Sequence, residues 1–171
     1  MTRSFFERLA RRAEAVNSLL CVGLDPRPEN QGAEGADEAR EACLRIVEAT
    51  HEVAAAYKPN IAFFEALGPD GLVALKQVIQ AIPDEIPVLL DAKRGDIAST
   101  AEAYARACFE ELGADAVTAS PYLGRDSVEP LARDASRGVF LLCRTSNPGA
   151  EDLQGLTLRG GEGRPERALF E

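Results

Sequence analysis

The sequence predicts an α/β fold, a (β/α)8 TIM barrel of which about the first five β/α units are present, as one domain over residues 1–171. Short apolar runs alternate with longer stretches of helical periodicity, which is typical of parallel strands joined by right-handed crossovers. Polar residues follow all five apolar runs, and a barrel builds its site from the loops after its strands. A doubly wound sheet gathers its site mostly at one switch point, and the chain lacks a GxGxxG fingerprint.

The first half of the chain predicts three helices and two strands. The amphipathic N-terminal segment places Phe5, Phe6, Leu9 and Val16 at expected buried positions. Pro59 is expected near the end of the second strand, because a central parallel strand cannot spare the amide that proline lacks. In chain order these elements are a helix within 1–16, a strand over 18–25, a helix over 37–56, a strand over 56–64 and a helix over 68–82.

The second half predicts three further strands separated by two helices. The helix over 99–113 has a Ser/Thr start and a Gly stop. A Gly-rich, charged segment over 149–166 follows the last strand, and residues 166–171 fit the start of another helix. The remaining elements are a strand over 86–93, a strand over 115–122, a helix over 125–136 and a strand over 138–146.

Composition restricts the class of function. The net charge of −9 argues against non-specific binding of nucleic acid and against an anionic membrane surface. No segment has the apolar length of a membrane span, and the charged N-terminus lacks the apolar core of a signal peptide. The single histidine, His51, has no Cys or His partner at ligand spacing, so no metal site is predicted. Scattered cysteines among apolar residues predict buried, reduced thiols and a cytoplasmic location: Cys21, Cys43, Cys108 and Cys143.

Four ionisable residues follow the third strand in the stretch VLLDAKRGDIAST, residues 88–100. Asp91 and Lys93 are two apart, which on a strand puts both side chains on one face and directs Arg94 outward. Lys58 ends the neighbouring strand and is expected to face the same barrel mouth. Alternating charges of this kind suit a reaction in which negative charge appears and is then quenched by a proton. The alternative is a solvated loop whose ion pairs contribute about 0–1 kcal/mol.

Five segments, in order along almost the whole chain, resemble orotidine 5′-phosphate decarboxylase, specifically its longer bacterial-type branch. They are LLCVGLDPRPE, YKPNIAFFEALGPDGL, LLDAKRGDIAST, TASPYLGRDSVEPL and LLCRTSNPGAEDLQ. The combination of DAKRGD with YKPN and TSNPGA is specific to this family. The resemblance implies a homodimeric (β/α)8 barrel that converts orotidine 5′-phosphate to uridine 5′-phosphate and carbon dioxide in pyrimidine biosynthesis, without a metal or an organic cofactor.

The resemblance also implies roles for individual residues. Lys93 would donate the proton to the pyrimidine carbon that loses carbon dioxide, and Asp91 would lie against the substrate carboxylate. Lys58 would hold Asp91 and the ribose. Asp25 would bind the ribose hydroxyls, which Lys93 would also reach. Considered without the family, Asp25 is explained equally well as a strand-end residue that forms an Asp-Pro turn.

Four further residues take roles from the resemblance. Asp96, Ile97 and Thr100 would enter the active site of the other subunit across the dimer interface, and Asp96 would complete the catalytic array there. Ser146 would contact the pyrimidine ring. Considered without the family, Ser146 is an ordinary polar residue of a turn that precedes a proline.

The chain departs from the family pattern at its C-terminal end. It lacks the family's phosphate-binding parts, which follow the sixth to eighth strands, and Arg144, Arg159 and Arg164 do not match the family's arginine. A complete barrel has eight strands and about 250 residues. If residues 1–171 are the entire product, we expect an incomplete barrel that is poorly folded or inactive alone. Rapid turnover of orotidine 5′-phosphate by the purified chain would refute that expectation.

Three alternatives stay open at this point. A related phosphosugar decarboxylase, such as the 3-keto-L-gulonate 6-phosphate enzyme, shares DxKxxD but relies on Mg²⁺, so activity that survives a chelator would separate the two. A non-catalytic barrel fragment is the second alternative, and circular dichroism with sizing of the chain tests it. The third alternative is a barrel enzyme that acts on a phosphorylated sugar without using the charged array. In that case Lys93→Ala would leave activity intact.

Overall fold

A computed structural model describes residues 3–27 and 35–158 and the backbone of residues 167–168. It divides into two compact units, Met1–Phe140 and Leu141–Glu171. The first unit carries the alternating strands and helices, and the second is short and irregular. The expectation of one barrel domain over the whole chain stays a prediction.

Strands and helices of the first unit alternate as the sequence predicts, with two additions. Asn60 caps a short helix by accepting a hydrogen bond from the Ala62 amide at 3.1 Å, so the second strand ends at Pro59 and not at residue 64 as predicted. A π-helical turn, Ala107–Glu111, extends one helix before Gly113, whose φ is +78°. The elements are α1 Phe5–Val16, β1 Cys21–Leu24, α2 Ala36–Thr50, β2 Ala56–Pro59, α3 Ile61–Glu65, α4 Gly68–Ala81, β3 Leu89–Arg94, α5 Ala98–Arg106, β4 Ala116–Ala119, α6 Arg125–Ala132 and β5 Gly138–Leu141.

The five strands follow one another in space in chain order. β1 pairs with β2 in parallel, and β3, β4 and β5 form a second run in that order. Two parallel bridges, Tyr57↔Val88 and Asn60↔Asp91, connect β2 to β3. Sequential parallel strands with intervening helices are the arrangement of a (β/α) barrel, so the predicted fold class is confirmed for these units. The carboxyl ends of β2 and β3 lie side by side as a result.

Helix α1 joins the N-terminal ends of the strands. Its Ser4 cap and Glu7 form a capping box, which fixes where the helix begins. From α1, Arg8 donates to Asp115 Oδ1 at 2.6 Å, and Asp115 Oδ2 accepts the Val88 amide at 2.9 Å. Phe5 is buried and its ring packs edge-on against Phe140. One helix thereby ties together the starts of β3, β4 and β5.

Several predicted core positions are wrong. Phe6 is 55% exposed, because only one face of α1 meets the strands and Phe5 occupies it. Leu9 and Val16 are half-buried. The thiols are buried at Cys43 and Cys108, but Cys21 and Cys143 are exposed. Cys21 begins β1, the edge strand of its two-stranded sheet, and Cys143 follows the end of β5.

The second unit has short elements of its own. A 3₁₀ turn, Pro148–Asp152, follows Asn147, and an antiparallel pair, β6 Thr157–Leu158 and β7 Arg167–Ala168, closes the segment. The helix expected over 166–171 is therefore wrong at residues 167–168, which pair with β6. Its other residues, and Arg159 and Arg164, lie outside the described residues.

Gly138 at the start of β5 tests the packing beneath α1. A Cβ atom at this position would overlap Phe5 Cδ1 and would lie 2.8 Å from Ala116 Cβ. We expect Gly138→Ala to lower the free energy of unfolding by about 1–3 kcal/mol, the range for overpacking a core. Urea denaturation measures this loss. Gly23→Ala in β1 is the matched control, because its Cβ would meet nothing within 4 Å. Equal stability of the two variants would contradict the described packing.

Candidate active site

Asp91 on β3 lies between two ammonium groups at the carboxyl ends of β2 and β3. Lys93 Nζ is 2.6 Å from Asp91 Oδ1, and Lys58 Nζ is 3.3 Å from Asp91 Oδ2. The Asp91 side chain is 11% exposed, whereas Lys58 is 33% exposed and Lys93 is 51% exposed. The structure therefore brings together three of the residues that the sequence predicts at one site. The lysine ends remain open to solvent while the carboxylate is shielded.

A bulge in β3 creates this arrangement. Leu90 pairs with Val117 and Arg94 with Ala119, so four steps along β3 match two along β4. Lys93 has φ +48°, in the left-handed region that non-glycine residues rarely adopt. Asp91 and Lys93 therefore meet across an irregular segment, whereas the sequence predicted that both side chains lie on one face of a regular strand. Backbone strain of this kind concentrates at functional sites.

Thr118 on β4 completes the contacts of the bulge. Its Oγ1 donates to Asp91 Oδ1 at 2.9 Å and accepts the amides of Ala92 at 3.0 Å and Lys93 at 2.9 Å. Sequence reasoning missed this residue. The available signal was a hydroxyl in the otherwise apolar run AVTA, in the strand beside the charged stretch.

The Asp91 carboxyl has a lowered pKa. Burial is the largest single influence and acts to raise the pKa, but hydrogen bonds from Lys93 and Thr118 and the charges of Lys58 and Lys93 together outweigh it. Hydrogen bonds to the charged form and nearby cations both favour ionisation. Asp91 is therefore an anion under ordinary conditions, held between two cations.

The lowered pKa predicts a pH-dependent contribution to stability. Because the folded-state pKa lies below the unfolded-state value of about 3.9, the ionised carboxylate stabilises the fold fully above that value. This stabilisation is lost as pH falls through the folded-state pKa. We expect Asp91→Asn to reduce the free energy of unfolding near neutral pH and the difference from the unsubstituted chain to shrink in acid. Urea denaturation at a series of pH values measures it, and a difference independent of pH would contradict the prediction.

Arg94 points away from this cluster. Its Nη2 atom is 2.6 Å from Glu65 Oε1 at the end of α3, and its guanidinium lies over the Tyr104 ring of α5 at 5.1 Å. This agrees with the outward direction predicted for Arg94. Gly95 follows where β3 passes close to β4, and a Cβ there would lie 2.8 Å from the Ser120 carbonyl oxygen. Glycine is therefore required for the exit from the bulge.

Asp25 follows β1 directly and has an unusual environment. Its Oδ1 atom is buried and accepts no hydrogen bond from the part of the chain that the structure describes. Burial, and secondarily the Asp25 charge, raises the pKa of the Cys43 thiol to about 12. A buried carboxylate oxygen with an open acceptor position calls for an explanation. A hydroxyl donor from a ligand would satisfy it.

Three of the remaining predicted residues follow the bulge in the first unit and do not join the cluster. Asp96 forms no ion pair within the described ranges, and its Oδ1 accepts the Ile97 amide at 2.7 Å. Ile97 is 54% exposed and Thr100 is exposed on the first turn of α5. Ser146 is exposed in the second unit. The predicted Ser/Thr cap is wrong, because α5 begins at Ala98 after Ile97, without a side-chain cap.

Among the described residues, no group of three or more His, Cys, Asp or Glu side chains is placed to hold a metal ion. His51 ends α2, where its Nδ1 lies 2.9 Å from the Glu48 carbonyl oxygen. No described helix combines the length and the hydropathy that crossing a membrane requires.

Comparison with known proteins places these residues in context. Residues 18–164 match the family model described as "Orotidine 5'-phosphate decarboxylase / HUMPS family". A curated relative from Herpetosiphon aurantiacus, named orotidine 5′-phosphate decarboxylase, is 52% identical over 164 residues, which cover 92% of this chain and 60% of the relative. The chain spans about 60% of the length of this relative and of two further curated relatives.

Solved structures agree with the sequence comparison. Leishmania donovani OMP decarboxylase has a TM-score of 0.86 at 55% identity, with 98% of this chain and 62% of that chain covered. Leishmania donovani UMP synthase has a TM-score of 0.87 at 55% identity, with 99% of this chain and 35% of that chain covered. The shared fold, the family model and the relatives at about half identity lead to one conclusion. The chain belongs to the orotidine 5′-phosphate decarboxylase / HUMPS family.

Proposed function

We propose that this chain supplies the charged half of the active site of an orotidine 5′-phosphate decarboxylase, which forms uridine 5′-phosphate and carbon dioxide. The observation that carries the proposal is the shielded Asp91 carboxylate held between the ammonium groups of Lys93 and Lys58, at 2.6 Å and 3.3 Å. Relatives named orotidine 5′-phosphate decarboxylase support this reaction over that of a phosphosugar decarboxylase.

Lys93 carries out the chemistry in this proposal. Breaking the bond to the departing carboxylate leaves an electron pair on the pyrimidine carbon, and carbon dioxide leaves as a neutral molecule. A cation fixed beside that carbon lowers the energy of the developing charge. The same ammonium group then donates a proton to the carbon, which completes the exchange of carboxylate for hydrogen. Its contact with Asp91 restricts where the ammonium can lie.

Asp91 and Lys58 prepare the site. An ionised Asp91 beside the substrate carboxylate repels it, and that repulsion disappears when neutral carbon dioxide leaves. Lys58 balances the Asp91 charge and reaches the ribose. Asp25 binds the ribose hydroxyls in this proposal, and its buried oxygen with an open acceptor position supports that role.

We also propose a homodimer located in the cytoplasm. Asp96, Ile97 and Thr100 would extend into the partner's site, and the exposed Ile97 at the start of α5 suits burial at an interface. Ser146 would contact the pyrimidine ring. Analytical ultracentrifugation of the chain tests the dimer, and Ile97→Asp should weaken it because the substitution introduces a charge at an apolar contact.

A chimera tests the proposed reaction directly. This chain would replace the matching segment of the Herpetosiphon aurantiacus relative, which supplies the remaining 40% or so of its length. We expect the chimera to convert orotidine 5′-phosphate to uridine 5′-phosphate, with and without a chelator in the assay. A folded chimera without this activity would contradict the proposal, and activity lost with the chelator would favour the Mg²⁺-dependent alternative.

A further inference from the structure

We propose that Thr118 is a positioning residue that donates a hydrogen bond to the Asp91 carboxylate and fixes the backbone bulge from which Lys93 projects. The proposal rests on the function proposed above for what Lys93 and Asp91 do, but its evidence is the hydrogen bonding of one hydroxyl group. Thr118 lies on β4, one strand away from the charged stretch, and it begins the segment TASPYLGRDSVEPL, in which the resemblance assigned no residue a role.

The hydrogen bonds determine where the Thr118 proton points. A hydroxyl group has one hydrogen to donate and two acceptor lone pairs. The amides of Ala92 and Lys93, at 3.0 Å and 2.9 Å, can only donate, so they occupy both acceptor positions of Oγ1. The single hydrogen is then left for Asp91 Oδ1 at 2.9 Å. Thr118 is therefore fixed as a donor toward this carboxylate, and such a donor favours the ionised form.

The same two amides connect Thr118 to the geometry of Lys93. They are consecutive backbone groups of the bulge between Leu90 and Arg94, and the second belongs to Lys93 itself, whose φ is +48°. Inside a regular ladder two consecutive amides would point to opposite sides of the strand and pair with carbonyl oxygens of different neighbouring strands. Here one side-chain oxygen receives both. Loss of this oxygen would leave two amides without an acceptor and release the strained residue that carries the ammonium group.

A threonine that only satisfies two backbone amides is the simpler explanation. That role would be visible in stability alone and would leave the titration of Asp91 unchanged. The positioning role also moves the Asp91 pKa, because the hydroxyl donates to the carboxylate. The two explanations therefore differ in the Asp91 pKa, which can be measured without enzymatic turnover. The result can be interpreted even if the proposed decarboxylation does not occur.

The experiment is an NMR titration of the Asp91 carboxyl carbon in this chain as part of the chimera described above, with the amide shifts of Ala92 and Lys93 followed in parallel. We expect Thr118→Val, which keeps the shape and removes the hydroxyl, to raise the Asp91 pKa by about 0.5 to 1. Both amide signals should shift as well. Thr118→Ser should restore the original titration. Thr50→Val is the matched control, because it removes a hydroxyl that bonds to the Ile46 carbonyl oxygen and Tyr57, away from β3.

Two results would overturn the proposal. The first is an unchanged Asp91 titration in a folded Thr118→Val chain, and the second is the same rise in Thr50→Val. If Thr118→Val does not fold, the unsubstituted chain provides the test. Exchange of the Thr118 hydroxyl hydrogen for deuterium should shift the Asp91 carboxyl carbon signal, and absence of that isotope shift would show that the hydroxyl does not donate to Asp91.

Discussion

Lys93→Ala is expected to lower the decarboxylation of orotidine 5′-phosphate by the chimera by about 10³-fold or more. In the proposed mechanism, the substitution removes both the cation beside the developing carbanion and the proton donor. Each of these contributions is worth about 10² or more in rate. It also removes the 2.6 Å partner of Asp91 and leaves Lys58 as its remaining close cation among the described residues. Steady-state kinetics should show the loss in kcat, with a smaller change in KM.

Lys76→Ala is the matched control for this experiment. Lys76 is a half-exposed lysine on α4 whose nearest described carboxylate, on Glu111, is 4.0 Å away. Its substitution removes the same side chain from a helix surface, so kcat should stay within about twofold, as surface substitutions usually perturb little. A Lys93→Ala chimera that keeps a tenth of the original rate would exclude Lys93 as the proton donor.

Asp115→Ala is expected to lower the free energy of unfolding by about 2–4 kcal/mol. The substitution leaves the Val88 amide and the Arg8 guanidinium without their acceptor, and loss of a charged hydrogen-bond partner costs more than loss of a neutral one. The Asp115 side chain is 18% exposed, so water replaces these contacts only in part. Thermal and urea denaturation of the chain measure the change.

Asp115→Asn separates the two contacts of this carboxylate. An amide oxygen can still accept the Val88 amide, which bonds to Oδ2 at 2.9 Å, while the charge that pairs with Arg8 is lost. We expect a smaller loss of stability than in Asp115→Ala. An equal loss in the asparagine variant would show that the ion pair, and not the strand-end hydrogen bond, provides most of the stability.

The sequence was sufficient to predict the parts of the site that depend on strand order. Lys58 and Asp91 were expected together because consecutive parallel strands end at the same edge, and the Asn60↔Asp91 bridge places those ends side by side. The alternation of apolar runs and helical periodicity likewise predicted the (β/α) architecture. These inferences use the period of side chains along an element and the order of elements, and both are local properties of the chain.

Other features depend on contacts between distant residues. The bulge at Lys93 requires Thr118 on the next strand, and nothing in the period-2 pattern of DAKRGD indicates an irregular backbone. The Arg8–Asp115 contact joins residues that are 107 positions apart. The exposure of Phe6 depends on which face of α1 meets the strands, a choice that amphipathic spacing alone leaves open. Packing decides these points, and packing is not encoded in any single segment.

The position of α1 has a consequence for protein engineering. Its anchors near Asp115 and the hydroxyl of Thr118 lie at opposite ends of the short strand β4, three residues apart, which corresponds to about 10 Å along a strand. Substitutions separated by such a distance, without shared partners, usually have additive effects. Heat resistance can therefore be selected at one end of the strands and substrate preference at the other, and libraries built separately at the two ends should combine without mutual interference.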